Sequence, residues 1–304
     1  MTCVARSCDG LAPPRSDILN ARQTLQWPRV VLFSLSALLL LALLAWQLRA
    51  IHASMPYPQH GDEKVVMVGA QRILETGDWD SRVYAYGSLP IYLDTLCLGL
   101  GVIMKSGQGP HALEVKRVGR LFGSFYEQPA VAVVARNTWA LFGTACILLC
   151  GLTAYRIGGA PAMLLAILCF GLGESVRAVA ARYVNVDIPM CLFACWLLFY
   201  LTSSRPSHSW SVLPAALLTG ATIASKYTGF VVLAPCLLWI WLYADRPMLR
   251  SGQLLAFSAF AFLCFCPYFL FRFPQFIDAI AAENFHYRVR GHRGFDVSPG
   301  LPQV

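Results

Sequence analysis

Charge is scarce in this chain. Of its 304 residues only 13% are charged, whereas 57% are hydrophobic, and the mean hydropathy is positive. A chain with so little charge cannot clothe a soluble domain, and it reads as a multi-span membrane protein. Runs of Lys and Arg interleaved with aromatics are absent despite a formal charge of +8, so nucleic acid is excluded as a partner. Metal-ligand spacing between Cys and His is absent too. Most of the eleven cysteines sit inside apolar stretches, as at Cys146, Cys150, Cys195 and Cys236, where they read as small apolar residues rather than a disulfide framework. No Walker loop, serine triad, dinucleotide fingerprint or zinc-protease helix occurs, which removes the common soluble chemistries. Internal repeats and low-complexity tracts are missing as well.

What is present is a series of long apolar runs. Val30–Leu48 is nineteen residues without a charge, enough to cross a hydrocarbon core. A thirty-residue leader precedes it and no small-x-small cleavage site follows, so it reads as a retained anchor rather than a signal peptide. Six further runs follow, roughly Asn137–Tyr155, Ala160–Ala180, Ile188–Leu201, Trp210–Ser225, Tyr227–Ala244 and Gln253–Phe271. Arg6, Arg15, Arg22 and Arg29 precede the anchor, which places the N-terminus in the cytoplasm. Turn-rich breaks carry Arg156, Arg205 and Arg246, as cytoplasmic loops do.

The segment 49–135 is the unusual part. Asp62 to Thr76 reads as an amphipathic helix with Val66, Ala70, Ile73 and Leu74 near one face and Gly77 as its stop. Leu89–Met104 is apolar apart from Asp94 and can either span or lie on the surface. Parity favours the surface: the Arg156, Arg205, Arg246 and Arg250 loops then fall inside, and Asp187 emerges on the same outer side as Asp62. Arg177, Arg182 and Lys226 face outward in that arrangement.

Ionisable groups at membrane depth are candidates for function or pairing. Asp62-Glu63 suits a solvated helix start and equally a proton acceptor or cation holder. Glu174 and Arg177, three apart, read as a structural ion pair. Asp187, followed by Pro189, fits either a helix cap or a site. Lys226 has no acid near it in sequence, and either snorkels or meets a phosphate. His286, Arg288, Arg290, His292 and Arg293 form a basic segment that suits an anionic head group or simply a juxtamembrane loop. Two histidines six apart are a weak metal signal.

Several motifs, in order, resemble the GT-C superfamily of membrane glycosyltransferases. The nearest branch resembles the dolichyl-phosphate-mannose–protein mannosyltransferases and the bacterial aminoarabinose transferases. His60-Gly61-Asp62-Glu63 resembles a first-loop His-x-Asp-Glu motif, followed by Gly77-Asp78. Tyr86-Gly87-Ser88-Leu89-Pro90-Ile91-Tyr92-Leu93 resembles a Tyr-Pro-x-Leu-Pro-x-Tyr-Leu stretch with Gly87 in place of proline. Arg136 and Thr144, Tyr155-Arg156-Ile157-Gly158-Gly159, Tyr183 with Asp187-Ile188-Pro189, Ser225-Lys226-Tyr227-Thr228-Gly229, and His286-Tyr287 with Gly291-His292 continue the series.

The anchor and the six further runs make an all-α polytopic transmembrane bundle of about seven spans, and the resemblance implies amphipathic interfacial helices in the first outer loop. It divides the chain into a cytoplasmic tail (1–27), a transmembrane domain (28–271, containing outer loop 49–135) and the start of an outer loop (272–304). It also implies inverting transfer of a sugar from a polyprenyl-phosphate donor to a lipid, glycan or protein acceptor on the outer side of a bacterial plasma (inner) membrane. Asp62 and Glu63 then match the catalytic carboxylates. Lys226, Tyr227, Arg288 and Arg293 are the candidates for the donor phosphate, and His60, Asp187, His286 and His292 are further site candidates. Some relatives use a divalent metal; no ligand set is evident here, and no other cofactor is expected. Relatives usually continue with more spans, so the chain reads as C-terminally truncated. The alternatives are an inactive remnant or scaffold, and a secondary transporter.

Overall fold

A computed structural model describes residues 15–54, 61–106, 129–173, 183–204 and 211–285. His60, the Glu174–Arg177 pair, Arg182 and the whole His286–Arg293 segment lie outside the described residues, as does the side chain of Asp62. Every element is helical: α1 (Arg15–Ser54), α2 (Gly61–Thr76), α3 (Leu89–Ser106), α4 (Pro129–Leu172), α5 (Asp187–Ser203), α6 (Val212–Ser225), a 3-10 stretch (Tyr227–Val232), α7 (Leu233–Tyr243), α8 (Pro247–Phe265), the single turn α9 (Tyr268–Phe271) and α10 (Phe273–Phe285). Among the described residues three helical stretches are long and apolar enough to cross a membrane, namely Pro28–Ala53, Ala132–Leu172 and Pro247–Phe265. The fold is that of a polytopic helical membrane protein. α5, α6 and the 227–243 stretch are apolar but shorter. A fourteen-residue helix such as α6 rises only about 21 Å, less than the roughly 30 Å of hydrocarbon.

α4 is two helices joined at Gly159, whose φ of 73° and ψ of −164° break the helical path. The chain doubles back there. Ile147, Met163 and Ile167 pack together with Leu43 of α1 in one buried cluster, and a Cβ on Gly151 would lie 2.8 Å from Ile167. α1 runs alongside α4, with the Thr144 hydroxyl donating to Gln47 Oε1 at 3.2 Å. Gln47 is 2% exposed, and pairing its amide there avoids a stranded polar group in the interior.

α2 is amphipathic as its pattern predicts. Val66, Ala70 and Ile73 are buried, and Gly77, at φ 71°, takes the left-handed conformation that ends a helix without a Cβ penalty. α2 packs on α3, and both join the start of α4 and the 184–188 segment in the largest buried cluster. α3 is fastened at both ends to one end of the bundle. Ser88 Oγ lies 3.2 Å from Cys266 Sγ, just past the end of α8, and Gly101 packs on Val134 near the start of α4.

The boundaries of several runs differ from the sequence reading: α4 begins at Pro129 rather than Asn137 and ends at Leu172 rather than Ala180, and two further runs depart from it. Gln253–Phe271 is not one helix: α8 begins at Pro247, which fits the first turn where a missing N–H costs nothing, and it ends at Phe265 before Pro267. The Tyr227 run opens with 3-10 geometry because Lys226 is extended, at φ −151° and ψ 131°. Gly229 then folds back so closely on α6 that a Cβ would sit 2.7 Å from the Thr222 carbonyl oxygen.

The tightest approach in the structure is at Gly87, where a Cβ would lie 1.8 Å from the Ala224 carbonyl oxygen. Backbone on backbone leaves nothing flexible to yield. Gly87→Ala is therefore expected to destabilise by ~1–3 kcal/mol or more. Gly99→Ala, whose new methyl would meet only Leu74 at 3.7 Å, is the control. Thermal unfolding of the two variants in detergent checks the difference.

Candidate functional site

Three helix ends and two loops converge at the end of the bundle that carries α3. The first element is the head of α2, where Asp62 and Glu63 occupy the opening turn. Glu63 is fully buried. Its carboxylate takes a two-pronged contact from Arg136, with Nε to Oε1 at 2.7 Å and Nη2 to Oε2 at 2.9 Å. The Val184 N–H also donates to Oε1 at 3.3 Å. Arg136 is itself 2% exposed. Two opposite charges in that fork geometry satisfy one another where water cannot.

The second element is the 183–188 segment. Asn185 Oδ1 accepts from the Ile188 N–H at 2.9 Å, satisfying one of the free amides in the first turn of α5. The Asn185 carbonyl accepts from Trp139 Nε1 at 2.6 Å. Asn185, one residue before the N-cap Val186, thus satisfies an amide of the first turn of α5, and the capping role that the sequence reading offered to Asp187 is not taken by its side chain. The Asp187 carboxylate instead accepts from Lys226 Nζ at 2.7 Å. Both side chains remain partly open, at 32% for Lys226 and 39% for Asp187. Two candidates 39 residues apart in sequence are brought together in one accessible ion pair.

The third element is the turn at Lys226 and the cavity beside it. Tyr227 donates its hydroxyl to the Tyr86 carbonyl at 2.8 Å and packs edge-on against Phe276 of α10. A cavity of about 290 Å³ opens here, lined by Tyr86, Lys226, Tyr227, Thr228, Ile280 and Glu283 among others. It is walled mainly by apolar groups and holds one ammonium and one carboxylate. Such a site suits an amphiphile with an anionic head.

Two buried acids, Asp80 and Asp94, were not read as site candidates in the sequence. Asp80 is 3% exposed and accepts from the Arg82 N–H at 3.0 Å, the Tyr84 hydroxyl at 3.0 Å and Arg272 Nε at 3.2 Å. Arg82 is held at φ 55°, a conformation costly for a residue with a Cβ, and the Asp80 contact to its N–H is one bond that fixes it. Partial burial, then the hydrogen bond and charge of Asp80, push the Tyr84 phenol above its ordinary value. A polar Asp-x-Asp-x-Arg loop is the only sequence signal, and nothing in it announces Arg272. Asp94, on α3, is fully buried, and neither of its oxygens has a hydrogen-bond partner. Burial and the nearby Glu63 carboxylate push it well above the usual aspartate range.

Among the described residues no three of His, Cys, Asp and Glu converge. The described side chains therefore provide no ligand set for a divalent ion.

Removing one half of the Glu63–Arg136 pair strands the other charge in the interior. Glu63→Ala and Arg136→Ala are each expected to cost ~3–5 kcal/mol, and Glu63→Gln with Arg136→Met together less than the sum of the single changes. Unfolding midpoints of the purified variants report this. Asp94 has the opposite sign. An acid whose folded pKa lies above its unfolded one contributes most below the unfolded value and loses that contribution as pH rises. The Asp94→Asn variant is thus expected to gain in melting temperature relative to the parent between pH 5 and pH 8.

The family model described as dolichyl-phosphate-mannose-protein mannosyltransferase matches residues 124–271, just under half of the chain. No curated protein and no solved structure matches. The matched stretch takes in Arg136, Asp187 and Lys226 and leaves out Asp62 and Glu63, and it suggests membership of that glycosyltransferase family.

Proposed function

We propose that the chain is a glycosyltransferase that moves a sugar from a polyprenyl-phosphate donor to a hydroxyl on a lipid, glycan or protein acceptor, with inversion at the anomeric carbon. In this reading the bundle crosses the membrane seven times. α2, α3 and α10 lie at the non-cytoplasmic interface, and the chain resides in a bacterial plasma membrane with its N-terminus inside. The observation that carries the reading is the accessible Lys226–Asp187 pair, whose lysine lines a largely apolar cavity and whose two residues fall inside the stretch that matches the family.

Asp62, at the head of α2, takes the proton of the acceptor hydroxyl. The acceptor oxygen bonds to the anomeric carbon as the bond from that carbon to the phosphate oxygen breaks, and polyprenyl phosphate leaves with the electron pair. Positioned charge at the departing phosphate is what such a displacement needs. Lys226 supplies it: Asp187 holds one N–H of the ammonium and leaves the others for the phosphate. Tyr227 shapes the same wall. Glu63, committed to Arg136 and the Val184 N–H, acts as a positioning residue that fixes the first turn of α2 beside the 183–188 segment. The His286–Arg293 segment, with His60, supplies further contacts to the head group.

The test is transfer from a labelled polyprenyl-phosphate sugar by the full chain reconstituted in vesicles. Asp62→Asn is expected to lower the rate by about 10²–10⁴-fold. Lys226→Met is expected to raise the donor KM by about tenfold or more, the worth of one hydrogen bond to a charged group. Because the Lys226 pair is partly exposed, its loss should cost at most ~1 kcal/mol of stability, so a folding defect will not mimic the effect. A folded Asp62→Asn protein with full transfer removes the base. An unchanged donor KM in Lys226→Met removes the phosphate contact. Coupled solute uptake without transfer would favour a transporter.

A further inference from the structure

Three turns along α5 from Asp187, at Phe199, the bundle carries a second feature with no part in the proposed transfer. Arg29 of α1 and Arg156 at the end of the first half of α4 line one groove of about 550 Å³, whose walls are Leu152, Tyr155, Gly159 and Phe199. Arg156 also borders a second groove of about 570 Å³ that runs toward Leu198, Trp239 and Tyr243. Its guanidinium lies 5.4 Å from the centre of the Phe199 ring, a cation held over an aromatic face. Tyr155 packs on Phe33 of α1 with ring centres 5.2 Å apart, so the two strips of the groove are fixed relative to one another.

Among the described residues neither guanidinium has a carboxylate partner. The ion pairs among the described residues use Arg136, Lys226 and Arg272, and no described carboxylate reaches Arg29 or Arg156. Two exposed arginines from elements 127 residues apart in sequence therefore frame a concave, anion-complementary place. Arg29 stands one residue inside the start of the span Pro28–Ala53, which is head-group depth. The flanking surface is apolar and open: Val30 and Val31 are more than half exposed and Ile157 is 78% exposed. A soluble phosphate would gain nothing from those walls, whereas acyl chains would.

We infer that this groove is a binding site for one acidic phospholipid, whose phosphodiester is held by Arg29 and Arg156 and whose chains lie along α1 and the 155–160 bend. Arginine suits the role because its planar fork pairs with two phosphate oxygens at once. Basic pockets between helices at head-group level are recognised sites for anionic lipids. The site is separate from the Lys226 cavity, and a lipid in it would clamp α1, α4 and α5 together.

The test uses the full chain in a neutral detergent, titrated with phosphatidylglycerol, with phosphatidylcholine of the same chains, and with inorganic phosphate. Melting temperature and the number of lipids retained in native mass spectrometry are the readouts. One phosphatidylglycerol is expected to be retained and to raise the melting temperature, with no response to phosphatidylcholine or to millimolar phosphate. Each of Arg29→Gln and Arg156→Gln should weaken that binding about fivefold, and the double variant about thirtyfold. Should the double variant fail to fold, Arg29→Lys with Arg156→Lys keeps the charge, loses the fork and should still bind measurably more weakly. Parent-like binding by either double variant overturns the site. A full response to inorganic phosphate alone overturns the lipid as its occupant.

Discussion

The buried pair between Glu63 and Arg136 governs the end of this bundle that carries the candidate site. Both groups are removed from water, and Glu63 also receives the Val184 N–H. Three segments far apart in sequence are thereby tied at one point: the head of α2, the first turns of α4, and the strip that leads into α5. Ionic contacts of this kind contribute little net stability compared with an apolar filling, but they allow only one arrangement once they form. The surrounding residues agree with that arrangement. Trp139, one turn on from Arg136, donates to the Asn185 carbonyl, and Val66, Ala70 and Ile73 of α2 fill the space beneath.

From that anchor the rest of the site follows. With 183–186 fixed and Asn185 Oδ1 taking the Ile188 N–H, the Asp187 carboxylate is left to face the end of α6. There the extended residue Lys226 reaches it. α3 lies over the same end, held at Gly87 by backbone on backbone and at Gly101 by Val134. α10 completes the cover, with Phe276 buried against Tyr84 and Tyr227 and Arg272 drawn to Asp80.

Much of the helical layout could be read from the chain because it rests on local rules. The long runs at Val30 and Gln253, the face of α2 and its glycine stop depend on periodicity, hydrophobicity and φ sign, all of which a short window contains. Pairings between distant residues had no such local signal. Lys226 shows no nearby acid, yet Asp187 meets it across 39 residues, and Glu63 meets Arg136 across 73. Glu63 beside Asp62 looks like one of two solvated acids; only tertiary packing separates an interior residue from its neighbour. Asp94 reads as a polar interruption and proves to be sealed without a partner. Asp80 and Arg272 could not be matched from a distance of 192 residues. Helix ends were less legible: α1 runs on to Ser54, and α4 begins at Pro129 and ends at Leu172, more than a turn from the limits of the apolar runs, while at Pro247 and Pro267 proline's preference for helix starts outweighed the apolar pattern.

Asp187 heads α5 and Lys226 closes α6. Each charge therefore stands at the pole of its own helix that carries the opposite partial charge. Separating the two side chains strands neither of them, since the amides of one helix and the carbonyls of the other continue to favour them. An entering anion can thus draw the ammonium aside at small cost. The contact behaves as a latch rather than a weld.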